Sequence, residues 1–336
     1  MITEQTANAY LRRATQLEAR ATLHFGRPFS APELATYLID VVRPTVSAGT
    51  WRLYRSAVCQ ALELRLIKTN DPRKEVESAA DRLRLAPPAP PPGMALRTSQ
   101  LKAKRSVDED FERIRHCALA GRSPNAEALS DFLDAALLTG LRPCEWRDAV
   151  LKRFTTAEFE WELLVRTAKT TNGRGNGPSR TIRFKRLESN LLDPLVRWIA
   201  WAQAAEREQR FDKAMATIRD LMHDCAARIF PNRRLLPTPY SCRHHAQTRW
   251  KAFYIVGAAD LAEQESGRAT VAALLGHGND ETATHHYARA LRGPLGPSPY
   301  PVPHACPYEV ARVRHQFTHS LARAAHTKSQ CARTPR

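Results

Sequence analysis

Two arginines, a histidine and a tyrosine stand in a set order along this chain. Arg142 lies in Thr139-Gly140-Leu141-Arg142-Pro143-Cys144-Glu145, and Arg243 in Tyr240-Ser241-Cys242-Arg243-His244-His245. Leu274-Leu275-Gly276-His277 and then Tyr287 follow. Arginine clamps phosphate oxygens with a planar fork of donors. Tyrosine can be a covalent nucleophile. Breaking and rejoining a nucleic-acid backbone without a metal needs such a set.

Each residue also has an ordinary reading when taken alone. Arg142 follows a helix-ending glycine, where a surface arginine is favoured by the helix dipole. Glu145 is three residues on, placed to orient that guanidinium or simply to face solvent. Tyr240 can donate a hydrogen bond to phosphate, but with an unperturbed pKa near ~10 it is a poor base at neutral pH. His277 ends an apolar helix, where a cap or core role is common. Lys169 opens the loop Lys169-Thr170-Thr171-Asn172-Gly173-Arg174-Gly175-Asn176-Gly177, and a solvated turn lysine fits equally well. Tyr287 sits on a helix expected to start at Asp280; Tyr300 and Tyr308 fall in Pro-rich sequence. His244, His245, His285, His286, His304 and Cys306 raise a zinc reading. Adjacent histidines diverge on a helix, and no i, i+4 pair encloses a carboxylate, so no metal site is expected.

Positioning these groups takes a sizeable scaffold. The 336 residues suffice for two domains, each with its own core. Lys and Arg number 51 against 34 Asp and Glu, and the net charge of +17 implies a polyanionic partner, nucleic acid above all. No apolar run approaches the ~18 residues a spanning helix needs, so no membrane is expected. The start, Met1-Ile2-Thr3-Glu4-Gln5, lacks the plan of a signal peptide. Seven scattered cysteines without a C-x-x-C pair suit reduced thiols in a cytoplasm.

The chain reads as mainly α. Residues 1–85 form a helical, DNA-binding domain, with helices over Thr6–His24, around Leu34–Val42 and after Ser47-Ala48-Gly49, and a charged segment at 70–85. Residues 86–105 are a linker, extended by Ala86-Pro87-Pro88-Ala89-Pro90-Pro91-Pro92-Gly93 and made basic by Lys102, Lys104 and Arg105. That patch suits backbone phosphates, as it suits any exposed linker. Residues 106–292 form an α-rich domain with a small antiparallel sheet. Ser123-Pro124 predicts a helix start, and Leu129, Phe132, Leu133, Ala136 and Leu137 its buried stripe, ending at Gly140. Phe159–Ala168 and Thr181–Phe184 read as strands of one hairpin, and 191–229 as helix. Residues 293–307 look too irregular for helix or strand. An amphipathic stretch carrying Val310, Val313, Phe317 and Leu321 then either reaches a neighbouring protomer or folds back on its own domain.

Residues 106–291 resemble the catalytic domain of the tyrosine site-specific recombinases, the phage integrase family. Residues 5–67 resemble, more weakly, that family's core-binding domain. The likeness rests on T-G-L-R-x-x-E at 139–145 and on L-G-H followed by Tyr at 274–287. It implies the DNA breaking-rejoining enzyme fold, clamped around duplex DNA as a homotetramer, in a bacterial cytoplasm at the nucleoid. It implies that Tyr287 attacks phosphorus to give a 3′-phosphotyrosine, and that Arg142 and Arg243 neutralise the non-bridging oxygens. Glu145 would buttress Arg142, with His277 and Tyr240 donating further. Lys169 would protonate the leaving 5′ oxygen, and Arg174 would add a DNA contact. No cofactor is implied. Tyr240 stands where the family usually has histidine, and the His277–Tyr287 interval is one residue longer than its commonest form. A hairpin telomere resolvase, a type IB topoisomerase and a DNA-binding protein without turnover share the same pattern.

Overall fold

A computed structural model of the chain describes residues 4–64, 67, 71–89, 106–154, 156, 158–168, 175–278 and 298–316. The protein is mainly helical, with one small antiparallel sheet. Two compact units divide it, Met1–Leu96 and Arg97–Arg336. Among the described residues no helix is long and apolar enough to cross a membrane.

The first unit holds four helices among its described residues: α1 (Glu4–Phe25), α2 (Ala31–Tyr37), α3 (Ala48–Glu63) and α4 (Arg73–Leu85). α2 opens with a capping box, Ser30 accepting from the Glu33 N–H while the Glu33 carboxylate takes the Ser30 N–H. It runs on through a π-helical turn, Leu38–Val42. Leu17, Leu34, Leu38, Trp51, Val58, Leu62 and Leu83 fill the core. Trp51 is fully buried, and its indole N–H donates to the Ala86 carbonyl at 3.1 Å, so its one polar group is satisfied. The charged segment at 70–85 is thus largely helix. Its apolar residues Val76, Ala79, Ala80 and Leu83 keep the i, i+3, i+4, i+7 spacing and are all buried, although charges flank them.

The second unit begins with α5 (Asp108–Leu119) and α6 (Ala126–Thr139), followed by a 3₁₀ turn, Pro143–Asp148. Strands β1 (Val150–Arg153), β2 (Trp161–Arg166) and β3 (Ser179–Phe184) come next. Helices α7 (Ser189–Arg207), α8 (Phe211–Ile229), α9 (Pro239–Lys251) and α10 (Leu261–Leu274) follow. β4 (His304–Ala305) and α11, described over residues 307–316, end it. α6 packs against α5, α7 and α9, which explains why its burial exceeds the predicted stripe and takes in Asp131, Asp134 and Leu138. Trp198 of α7 lies edge-on to Phe132 and Trp146, at 5.0 and 6.1 Å between ring centres. The sheet order is β1-β2-β3-β4, antiparallel throughout, with Leu163 opposite Ile182 in its middle.

Several boundaries differ from the sequence reading. The N-cap of α6 is Asn125; Ser123, two residues earlier, instead accepts from the Asn125 N–H. Residues 191–229 belong to two helices, parted where Gln209 takes a left-handed φ of +54°. The stretch 293–307 is not wholly irregular, because His304 and Ala305 pair with Arg183 and Ile182 and add a strand to the β3 edge. Residues 298–316 pack on their own unit, as in the second of the two readings of this stretch, while Phe317 and Leu321 lie outside the described residues. Val313 of α11 is fully buried among Ala269, Ala272 and Ala273 of α10.

Candidate active site

Four elements converge to make the site. Gly140 ends α6 in a left-handed conformation, φ +59°, and turns the chain so that Arg142 enters the 3₁₀ turn. A Cβ at Gly140 would meet the Trp250 ring at 2.7 Å, so glycine serves both the turn and the close approach of α9. α9 starts at Pro239, capped by Thr238 and Ser241, and buries Arg243 on its first turn. β3 contributes Arg180. The end of α10 contributes the Leu274 and Leu275 carbonyls, Gly276 at φ +66°, and His277.

Glu145 is the hub. Its carboxylate accepts the Arg142 backbone N–H at 2.8 Å, Arg142 Nη1 at 2.6 Å and the Ala168 N–H at 3.3 Å. Arg180 adds a bidentate pair, Nη1 at 3.1 Å and Nη2 at 2.8 Å. These five donors saturate a carboxylate that offers roughly four lone-pair positions. Burial alone would raise the Glu145 carboxyl, but Arg180, Arg243 and Arg142 outweigh it and hold it well below the ordinary carboxylate range. The solvent-exposed reading of Glu145 is excluded, since the residue is 2% exposed.

Arg243 is held differently. Nη1 donates to the Gly140 carbonyl at 2.6 Å and Nη2 to the Leu275 carbonyl at 2.7 Å, while the Glu145 carboxylate stays 3.8 Å away. The guanidinium is thus tied to backbone on two elements and not neutralised by direct contact. Burial, and then Arg142, push its pKa down; an arginine nevertheless stays protonated at neutral pH. Burial opposes the charge on Arg142 too, but Glu145 and then Tyr240 outweigh it and raise its pKa. The Arg142 Nε is buried with no hydrogen-bond partner among the described residues.

His277 completes the group. Its backbone N–H donates to the Ala272 carbonyl at 2.9 Å, and it forms an isolated antiparallel bridge with Gly175, at the close of the Lys169 loop. Burial, and then Arg243, Arg142 and Arg180, push the imidazole down to about 3. It is therefore neutral at physiological pH, with one N–H and one bare nitrogen. Its Nδ1 is buried and unpartnered among the described residues.

The structure thus brings together Arg142, Glu145, Arg243 and His277. Tyr240 joins them, acting electrostatically on both arginines, and its ring meets His244 edge-on at 5.2 Å. Arg180 is the participant the sequence reading missed. Lys169, Arg174, Tyr287, Lys102, Lys104 and Arg105 lie outside the described residues. Ala168, the residue before Lys169, is pinned to Glu145 through its N–H. Among the described residues no cluster of His, Cys, Asp and Glu is arranged to hold a metal ion.

Three buried guanidiniums surround one carboxylate, so the site carries an excess of positive charge in a low-dielectric setting. A tetrahedral anion with spread charge is the ligand such an arrangement stabilises best. No protein-family model matches the chain, and no curated protein matches it either.

Proposed function

We propose that this protein cleaves and rejoins DNA strands through a covalent 3′-phosphotyrosine, as a site-specific recombinase. The observation that carries the reading is the meeting of Arg142 and Arg243 beside neutral His277. Two fixed cations act electrostatically on a side chain that can both give and take a proton.

The reaction is phosphoryl transfer governed by positioning and electrostatics. The scissile phosphate docks between Arg142 and Arg243, which receive its non-bridging oxygens. Tyr287 Oη attacks phosphorus, forming the Oη–P bond as the P–O5′ bond breaks. The bare nitrogen of His277 takes the phenolic proton. The phosphate's own negative charge offsets the nearby arginines and makes the imidazole more basic once DNA is bound. Lys169 gives a proton to the departing 5′ oxygen, and attack of a 5′-hydroxyl on the phosphotyrosine reverses the sequence. The bond energy is conserved in the adduct. The charge of +17 supplies the wider attraction for duplex DNA.

The test is covalent trapping on nicked duplexes of randomised sequence. Wild type should yield a protein–DNA adduct, with or without EDTA. Tyr287→Phe should bind the same DNA and yield none. Adducts from the phenylalanine variant would move the nucleophile elsewhere. Their absence from wild type, with tight binding intact, would favour a DNA-binding protein without turnover.

A further inference from the structure

Arg180 makes no contact that suggests a ligand-binding role, yet it is the most enclosed cation of the site, with no solvent exposure. Its three polar nitrogens all point inward. Two grip the Glu145 carboxylate, and Nε donates to the Leu274 carbonyl at 2.8 Å, at the end of α10 and three residues before His277. Gly276 packs directly on it: a Cβ there would lie 3.0 Å from Arg180 Nη1. Arg180 therefore joins the 3₁₀ turn of Arg142 and Glu145 to the end of α10.

Its second effect is on charge. Glu145 is the only carboxylate among the described residues with a hydrogen bond or ion pair to these three arginines. With Arg180 saturating its oxygens, Arg243 stays 3.8 Å off and donates to the Gly140 and Leu275 carbonyls instead. Without Arg180 the buried carboxylate would keep Arg142 and two backbone N–H donors but lose one of its charge partners and two of its hydrogen bonds. A buried charge short of partners is expensive. Arg243 is the nearest cation left to move. That pairing would withdraw it from its two carbonyls and from an incoming anion.

We propose that Arg180 is a positioning residue for the anion site: by saturating Glu145 and fixing the end of α10, it keeps Arg142, Arg243 and His277 available to a phosphate. The proposal rests on the phosphate-site reading given above, and specifies what holds that site open.

Two readouts on the full chain test it. One is the rise in melting temperature produced by inorganic phosphate over chloride at equal ionic strength. The other is the single-turnover rate of adduct formation on the nicked duplexes. Arg180→Gln should lose the phosphate-induced rise and slow adduct formation about 100-fold, as misplacement of reacting groups commonly does. Duplex affinity should stay within about threefold, since Arg180 adds no phosphate contact. Arg180→Lys should behave like the glutamine variant, because an ammonium cannot span two carboxylate oxygens and a carbonyl. The double change Arg180→Gln with Glu145→Gln removes the competing carboxylate and should recover the phosphate response. A merely space-filling role would not produce that recovery.

An unchanged phosphate response in Arg180→Gln, or a double variant no better than the single one, overturns the proposal. If Arg180→Gln does not fold, the double variant decides: folded and phosphate-responsive supports it, unfolded or unresponsive overturns it. Wild type that responds to phosphate through Arg180 but forms no DNA adduct would sink the recombinase reading alone. Adducts formed equally by wild type and Arg180→Gln would sink the Arg180 proposal alone.

Discussion

Arg312, on the last described helix, holds Asn176 at two points: Nε donates to the side-chain oxygen at 2.7 Å and Nη2 to the backbone carbonyl. Asn176 is fully buried and in turn donates to the Glu309 carbonyl at 3.0 Å, while the Glu309 carboxylate accepts the Thr181 N–H. One turn of α11 therefore fastens the return into β3, next to the Gly175–His277 bridge. Gly177, at φ +80°, has no room for a Cβ because the Arg312 guanidinium lies 2.8 Å from where it would sit. Arg312→Ala should lower stability by about 1–3 kcal/mol, the cost of leaving buried acceptors unpartnered. Urea unfolding measures this.

Removing residues 298–336 goes further. Tyr300 donates to Asp134 at 2.8 Å, Ser298 receives Arg249, and Val313 is buried in the unit's own helices. The truncated chain should unfold at markedly lower urea and lose adduct formation with it. A truncation that stays fully stable and loses only cooperative assembly on DNA would show that these contacts contribute little in cis.

Gly140→Ala should destabilise the second unit by about 2–3 kcal/mol, through left-handed strain together with overpacking against Trp250. Because the Gly140 carbonyl receives Arg243, adduct formation should fall more than the melting temperature alone would suggest. Parallel measurement of both quantities on the same preparation checks this.

Arg142→Lys and Arg243→Lys should each slow adduct formation by roughly 10²–10³, as loss of one transition-state donor commonly does. Affinity for duplex DNA should change far less. A lysine variant that cleaves at the wild-type rate would remove that arginine from the site.

Acid should destabilise the folded protein in a defined window. The imidazole of His277 takes its proton at about 3 when folded and near its ordinary 6.5 when unfolded. Below 6.5 the unfolded chain binds the proton and the folded chain does not, so stability falls as pH drops from there toward 3. The slope should reach up to about 1.4 kcal/mol per pH unit from this group. Glu145, also held down, adds to the loss at the acid end of the same window and below it. Urea titrations between pH 4 and 8 should show the slope, and His277→Gln should flatten it above pH 5. NMR should also find the His277 imidazole titrating higher when inorganic phosphate is present.

Much of this site is readable from residue order, and the part that is not has a physical reason. Arg142, Glu145, Arg243 and His277 sit at helix ends, where glycine and proline punctuate the sequence and the motif stands out. Arg180 hides in a strand. A period of two places it on the same face as Ile182 and Phe184, both buried, and that alternation is the signal that could have found it. β4 gives no such signal, because two residues between prolines are too few to alternate. α4 is masked by composition, its four buried apolar positions standing among arginines and glutamates. Gly140 and Leu275 act through carbonyl oxygens, which every residue has, so their role follows only from the packing.

The bonds that define the site also fix when it can exist. Arg243 reaches a carbonyl 103 residues earlier, Arg180 one 94 residues later, and Asn176 one 133 residues later. Contacts that close such long stretches of chain form late, because their entropy must be spent before they stabilise anything. A chain still emerging from the ribosome can build α5 and α6 while Arg142 has neither of its fellow arginines beside it. The cluster of Arg142, Arg180 and Arg243 around Glu145 is therefore assembled only once the second unit is nearly complete. The same ordering runs backward on unfolding: mild destabilisation should silence the protein while most of its helices persist.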